Sequence, residues 1–277
     1  MHPQSAVRKA VRFIRLLAGQ RNFYRAARLL MYEARFDVLN DPASNGELYV
    51  QSAVLRHVPK AIVFDVGANI GDWTASLLKQ RHTDAAVHAF EPSSKTFDVL
   101  QRRAADWKSV TLVRMACSDR IGKSKFIEFG ATFGTNSLVS RESRLANNVA
   151  TETVTLTTID AYCRENSIPR INLLKVDAEG HDLAVLFGTV DMLRSRSVDV
   201  VQFEYNHRWI EERRLLRDAF DYLKPLGYAI GKVTGNAIQF YPDWHWELET
   251  YREANYIACV PEWVRLFRTV SPGWVPY

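Results

Sequence analysis

The segment Val63-Phe64-Asp65-Val66-Gly67-Ala68-Asn69-Ile70-Gly71 constrains this chain more than any other. A short apolar run carries one acid near its end and leads straight into two glycines four residues apart. Apolar runs of this length are strands buried on both faces, so this one belongs inside a parallel sheet covered by helices. Glycine at 67 can take backbone angles closed to other residues and leaves room for a ligand beside the main chain. The helix predicted to follow offers unpaired N–H groups suited to a carboxylate or a phosphate. Asp65, at the strand end, can accept a hydrogen bond from an ammonium group or hold the loop in shape.

The alternation continues along the chain. Strands are predicted at 86–90, 110–116, 171–176 and 198–205, with helices at 71–81, 93–105, 183–193 and 211–226, the last stopped by Gly227. Repeated strand–helix–strand units with right-handed crossovers make an α/β, doubly wound, mostly parallel sheet. Further strands at 228–233, 237–241 and 256–260 close the pattern. The rhythm breaks at 119–158, an insertion with strands at 125–129 and 153–157. The expected organisation is a helical appendage over 1–45 and one Rossmann-like domain over 46–277. With 277 residues, 47% of them hydrophobic, the chain can build a core of that size.

The formal charge of +5 is unevenly spread. Arg8, Lys9, Arg12, Arg15, Arg21, Arg25, Arg28 and Arg35 face a single acid, Glu33, within the first 35 residues, and the remainder is slightly acidic. Val7, Val11, Ile14 and Leu17 recur at helical spacing there. Two readings follow: a helix packing its apolar face on the main domain, or a basic amphipathic helix in peripheral contact with an anionic membrane through residues 6–32. No apolar run reaches the roughly 18–20 residues of a membrane span, and Arg12 and Arg15 interrupt any secretory signal. Cys117, Cys163 and Cys259 form no Cys-x-x-Cys pair, which argues against zinc knuckles and disulfide frameworks. A cytoplasmic protein is expected. The oligomeric state is not legible.

The second chemical signal is Phe90-Glu91-Pro92, some 20 residues after the first. An acid at the end of the second strand suits the two hydroxyls of a ribose. That fits a dinucleotide as well as S-adenosylmethionine, and the loop decides between them. Gly67-Ala68-Asn69-Ile70-Gly71 lacks the middle glycine that lets a pyrophosphate rest on the backbone. Asn69 there suits an amino-acid carboxylate better, so an NAD-dependent oxidoreductase is the weaker alternative. A third signal, Leu173-Leu174-Lys175-Val176-Asp177-Ala178-Glu179-Gly180-His181-Asp182, ends the fourth strand at the sheet edge where such folds bind ligands. Gln202-Phe203-Glu204-Tyr205-Asn206-His207-Arg208 ends the fifth at the same edge.

Together these residues resemble the FkbM family of methyltransferases. The resemblance runs through Asp65–Gly71, Phe90-Glu91-Pro92, Thr135-Asn136-Ser137-Leu138, Thr157–Ala161, Leu174–Gly180 and Glu204, and covers about residues 60–210. It implies a class I methyltransferase with a seven-stranded sheet whose last strand is antiparallel. It also implies S-adenosylmethionine as cofactor and O-methylation of a hydroxyl on a sugar, glycolipid or natural product. Asp65, Gly67, Asn69 and Gly71 would surround the methionine part, Glu91 would hold the ribose, and Ser118 and Asp119 would lie near the adenine. Asp177 and Glu179 would line the reaction cleft. Where members often carry a second Glu after the Glu-Gly pair, this chain has Asp182.

Methyl transfer from a sulfonium is an in-line displacement, so the protein must position the acceptor and remove its proton. His181, His207, Asp177 and Glu204 are the candidate bases. His181 is preferred because an ordinary imidazole titrates near physiological pH. Mg²⁺ held by Asp177, Glu179 and Glu204 is a rival, less favoured route. Thr135 and Asn136, in the insertion, are candidate acceptor-binding residues. The basic first segment leaves a nucleic-acid-modifying methyltransferase as an alternative. No aromatic-basic interleaving of the RNA-binding kind accompanies it, so no nucleic-acid partner is expected.

Overall fold

The computed structural model describes residues 3–37, 44–80, 84–128, 138, 150–271 and 273. Helices α1 (Pro3–Ala18), α2 (Gln20–Arg35) and α3 (Glu47–His57) precede β1 (Ile62–Val66), α4 (Asp72–Leu78), β2 (Ala86–Phe90), α5 (Ser94–Arg103) and β3 (Val110–Val113). Then come β4 (Ala116–Cys117), β5 (Gly122–Glu128), β6 (Ala150–Thr157), α6 (Ile159–Glu165), β7 (Ile171–Val176), α7 (Asp182–Phe187) and α8 (Val190–Arg194). The chain continues through β8 (Val198–Tyr205), α9 (Leu216–Leu223), β9 (Ala229–Thr234), β10 (Ala237–Tyr241), β11 (Ala254–Cys259) and α10 (Pro261–Val264).

The main sheet has the order β10-β9-β11-β8-β7-β1-β2-β3. Strands β3, β2, β1, β7 and β8 are parallel, and β11 enters antiparallel between β8 and β9. Seven of these strands match the expected architecture, including the antiparallel last one. The eighth, β10, is an edge strand that the two-residue Gly235-Asn236 turn folds back on β9, a turn composition favoured in tight hairpins. Strand order reverses between β1 and β7, where open α/β sheets form their ligand crevice. Both β7 and, apart from Glu204, β8 are buried along their whole length, as apolar runs require. Phe64, Phe90, Phe203, Tyr205 and Trp209 fill the core around them.

Three helix expectations need correction. The predicted 183–193 helix breaks at Gly188, where a β-carbon would lie 1.9 Å from the carbonyl oxygen of Ser118. The 211–226 helix starts only at Leu216, because His207–Ile210 forms a 3-10 turn and Arg213 is left-handed (φ 55°). The 71–81 helix ends at Leu78. The insertion is more ordered than expected in its described part: β5 and β6 form an antiparallel hairpin, and β4 pairs with β6 in a second, three-stranded sheet. Ala116, Phe126, Val154 and Leu156 give this sheet its own small core.

The first two helices depart from one of their two readings, packing on the main domain. Gly19 (φ 76°) turns α2 back along α1, and no described side chain from Ala6 to Arg35 is fully buried. The apolar faces therefore do not pack on the main domain. Contact with the body is concentrated at the end of α2: Arg35 donates to the Glu247 carbonyl, and Asp37 pairs with Lys232 and Arg252.

Candidate active site

A cleft of about 680 Å³ opens at the carboxyl ends of β1, β2 and β7. Val66, Gly67 and Asn69 form one side, Phe90, Glu91 and Pro92 the next, and Asp177, Ala178 and Glu179 the third. Met115, Ala116, Cys117 and Phe126 give it an apolar end.

Glu91 is the best-organised polar group in the cleft. Its Oε2 accepts from the Asn69 N–H at 3.0 Å and its Oε1 from the Ser93 N–H at 2.9 Å. Burial nevertheless pushes its carboxyl up to about 7, because the two backbone donors only partly offset desolvation. Each oxygen keeps lone-pair capacity for a further donor, such as a ribose hydroxyl. Asn69 is left-handed (φ 50°), and its buried side-chain oxygen accepts no hydrogen bond. An acceptor left unpaired in this way is matched by a ligand donor such as an ammonium group.

Both glycines take left-handed backbone angles, as expected at Gly67, and each is also a point of close approach. A β-carbon on Gly67 (φ 79°) would lie 1.9 Å from the Asp177 carbonyl oxygen, so glycine is required where β1 and β7 pass each other. On Gly71 (φ 84°) it would meet the Leu100 side chain at 2.7 Å and the Trp107 ring at 3.0 Å. At both glycines the space a β-carbon would need is taken by protein atoms, and Gly67 also lines the cleft. The N–H groups of Gly67 and Ala68 both donate to the Phe90 carbonyl, at 3.1 and 2.9 Å.

Asp65 lies behind the cleft, fully buried. It accepts from Thr74 Oγ1 at 2.6 Å, and its other oxygen is 3.4 Å from Lys175 Nζ. The ammonium group it meets is thus the protein's own. Lys175 also reaches Asp177 Oδ2 at 3.3 Å and stands 5.9 Å from the centre of the Trp73 ring. Burial opposes its charge, but Asp177, Asp65 and Glu47 outweigh burial and hold its pKa above the ordinary lysine value. Lys175 is a functional residue with no role assigned from the sequence alone. Its signal is its place: a lysine inside a strand buried on both faces requires carboxylate partners.

Asp182, also fully buried, shapes the loop after β7. It accepts from the N–H groups of Ala178 and Gly180 at 3.2 and 3.1 Å, holding Glu179 and Gly180 left-handed at φ 56° and 97°. Burial, with Asp177 nearby, pushes its carboxyl up to about 7. Glu179 is paired with the Arg208 guanidinium. Glu204 lines neither described cavity; Asn206 donates to it, and burial together with Asp177, Asp182 and Glu253 raises its pKa well above the ordinary range. Among the described residues, no three His, Cys, Asp or Glu side chains group to hold a metal ion. Asp177 faces a lysine and Glu179 an arginine, so Asp177, Glu179 and Glu204 do not fit a Mg²⁺ ligand set.

A second, polar cavity of about 640 Å³ adjoins the first at Leu138, which lines both. Ser118, Asp119, Arg120, His181, Glu212 and Arg214 surround it, so Ser118 and Asp119 face this space rather than the apolar end of the first cleft. Ser118 Oγ donates to Asp119 Oδ1 at 3.1 Å and lies 3.0 Å from His181 Nε2. With the serine proton on Asp119, Nε2 carries the imidazole proton and Nδ1, buried and unpartnered, is the free lone pair. Burial lowers His181 to about 4, which removes the reason for preferring it as a base tuned near neutral pH. His207 is exposed on the 3-10 turn and lines neither cavity. Thr135 and Asn136 lie outside the described residues.

Strand order and a cleft at its reversal point define a Rossmann-like α/β protein. The family model of the methyltransferase FkbM domain matches residues 65–230, and the chain belongs to that family. It is 32% identical over 149 residues to the hexuronic acid methyltransferase AglP of Haloferax volcanii, a match covering 51% of this chain and 55% of AglP. It is 28% identical over 178 residues to the 31-O-demethyl-FK506 methyltransferase FkbM of Streptomyces tacrolimicus, covering 52% of this chain and 67% of that one. Among solved structures, the methyltransferase FkbM of Methylobacillus flagellatus is similar at 17% identity and a TM-score of 0.47, over 72% of this chain and 44% of the other.

Proposed function

We propose that this protein transfers the methyl group of S-adenosylmethionine to a hydroxyl of a sugar, glycolipid or natural product. The observation that carries this reading is Glu91, whose two oxygens are each fixed by one backbone N–H and face the cleft with capacity for two ribose hydroxyls. Pro92, Met115 and Cys117 offer an apolar slot for an adenine, and the unpaired Asn69 oxygen suits the amino group of the methionine part. A dinucleotide is disfavoured because the turn lacks the middle glycine and its N–H groups at 67, 68 and 69 are spent on Phe90 and Glu91. One relative's name gives a hexuronic acid as acceptor and the other's an O-methylation of FK506, which supports an acceptor of this kind. In this reading residues 46–277 form the catalytic domain, residues 1–45 are an appendage, and the protein works in the cytoplasm.

Bound S-adenosylmethionine supplies an electrophilic methyl group. Asp177 is the one candidate base that lines the cleft, and its Oδ1, the oxygen turned from Lys175, takes the acceptor's proton. His181 and Ser118 order the acceptor from the adjoining cavity. Thr135 and Asn136 would also contribute to acceptor binding. Glu204 holds Asn206 at the end of β8, and His207 stays outside the reaction.

Incubation with isotope-labelled S-adenosylmethionine and a panel of sugars, glycolipids and hydroxylated natural products should add one methyl to an acceptor, read by mass spectrometry. Asp177→Asn should cut kcat about 10²–10⁴-fold while leaving S-adenosylhomocysteine affinity nearly unchanged. His181→Ala should act mainly on the acceptor's KM. Full kcat in Asp177→Asn would remove the aspartate from the proton-accepting role.

A further inference from the structure

The first two helices present an apolar surface with a strongly basic border. Among the described residues, eleven of the fifteen exposed large hydrophobic side chains lie between Val7 and Phe36. Among the described residues, large apolar exposure is thus concentrated on this element pair, while Ile121, Ile210, Leu215 and Trp246 are scattered singly over the body. At 100° per residue, Phe13, Leu17, Ile14, Val7 and Val11 occupy one arc of about 160° on α1. Arg15, Arg8, Arg12 and Lys9 occupy the opposite side. The same division repeats on α2, with Leu30, Phe23, Met31 and Tyr24 on one side and Arg28, Arg21 and Arg25 on the other. Ile14 and Leu17 are 54% and 74% exposed, so neither the partner helix nor the body covers this face.

We propose that α1 and α2 seat the protein on an anionic bilayer surface, lying in the membrane plane. Apolar arcs of this width, flanked by arginine, sink into the boundary between headgroups and acyl chains while the guanidinium groups meet lipid phosphates. Charge selects this occupant. Across residues 1–35 eight basic side chains face one acid, so a second copy docked face to face would set like charge against like charge. An anionic leaflet instead complements both the charge and the apolar arc. Sixteen residues of helix with four internal basic side chains lie on a bilayer rather than cross it, and no described helix is long and apolar enough to span one. The root of the hairpin is fixed: Asp37, with its side chain 9% exposed, is ion-paired to Lys232 and to Arg252 at 3.5 Å, and the Arg252 guanidinium sits 4.0 Å from the centre of the Tyr32 ring. This clamp would set the orientation of the catalytic body toward the membrane.

The test is co-flotation of the full chain with vesicles of mixed phosphatidylglycerol and phosphatidylcholine, beside vesicles of phosphatidylcholine alone. Binding to the anionic vesicles is expected to be at least tenfold tighter and to weaken in high salt. Two variants should each abolish it: Ile14→Glu with Leu17→Glu, which breaks the apolar arc, and Arg8→Glu with Arg12→Glu, which breaks the charge. Both sets of residues are exposed, so the thermal unfolding midpoint should not move, and this control separates lost docking from lost fold. Absence of anionic-vesicle binding overturns the proposal, as does binding that survives both variants. A concentration-dependent dimer in sedimentation that only Ile14→Glu with Leu17→Glu dissolves, without vesicle binding, would assign the face to a second copy and overturn it too.

Discussion

Lys175→Met should destabilise the protein by about 3–5 kcal/mol, the range for removing one partner of a buried charge pair. The lysine is 5% exposed and stands between Asp65, fully buried, and Asp177. Without it, Asp65 keeps only the Thr74 hydroxyl, and a carboxylate sealed in the core has no counter-charge. Methionine fills most of the space, so the loss comes chiefly from charge and not from a cavity. A second substitution distinguishes these causes: Asp65→Asn in the Lys175→Met background should recover a large part of the deficit. Urea unfolding followed by tryptophan fluorescence reads both. A loss under 1 kcal/mol in the single variant would mean that the Asp65–Lys175–Asp177 chain does not hold the site together.

Gly67→Ala should be nearly as damaging, for a steric reason. The added β-carbon would sit 1.9 Å from the Asp177 carbonyl oxygen. Neither strand can easily retreat, because Asp177 N–H donates to the Val66 carbonyl at 3.0 Å and β1 is paired on both sides. Overpacking costs about 1–3 kcal/mol, and the left-handed backbone adds about 1–2 kcal/mol for a residue with a β-carbon. The shift should also displace Asn69, whose N–H fixes Glu91. Cofactor affinity should therefore fall along with the unfolding midpoint. An alanine variant with both values unchanged would show that the strands do not approach as described.

These two sites mark what the sequence reveals and what it hides. Strands β1, β2, β7 and β8 are readable because burial on both faces leaves runs of apolar residues. Glu91 is readable from its spacing after the glycine turn. The role of Gly67 is only half readable: a glycine is visibly required, but its neighbour is a carbonyl from a strand over a hundred residues away. The break at Gly188 has the same origin, a close approach to Ser118 that no local pattern encodes. The separation of β4 from β3 depends on pairing with β6, some 40 residues on. His181 misleads because an imidazole's ordinary pKa says nothing of its burial, and burial moves this one to about 4. The amphipathic pattern of the first helices is plain in the sequence, whereas its exposure is a tertiary fact.

The account depends most on the cleft between Glu91 and Asp177 accepting an adenosyl amino acid. Calorimetric titration of the purified protein with S-adenosylhomocysteine, at pH 6 and pH 8, measures this directly. The prediction is saturable one-to-one binding, displaced by S-adenosylmethionine and not by NADH. Binding should be tighter at pH 8, because Glu91, with its pKa raised to about 7, accepts both ribose hydroxyls best once ionised, and Glu91→Gln should flatten that difference. No binding heat at either pH, or displacement by NADH, would contradict the account.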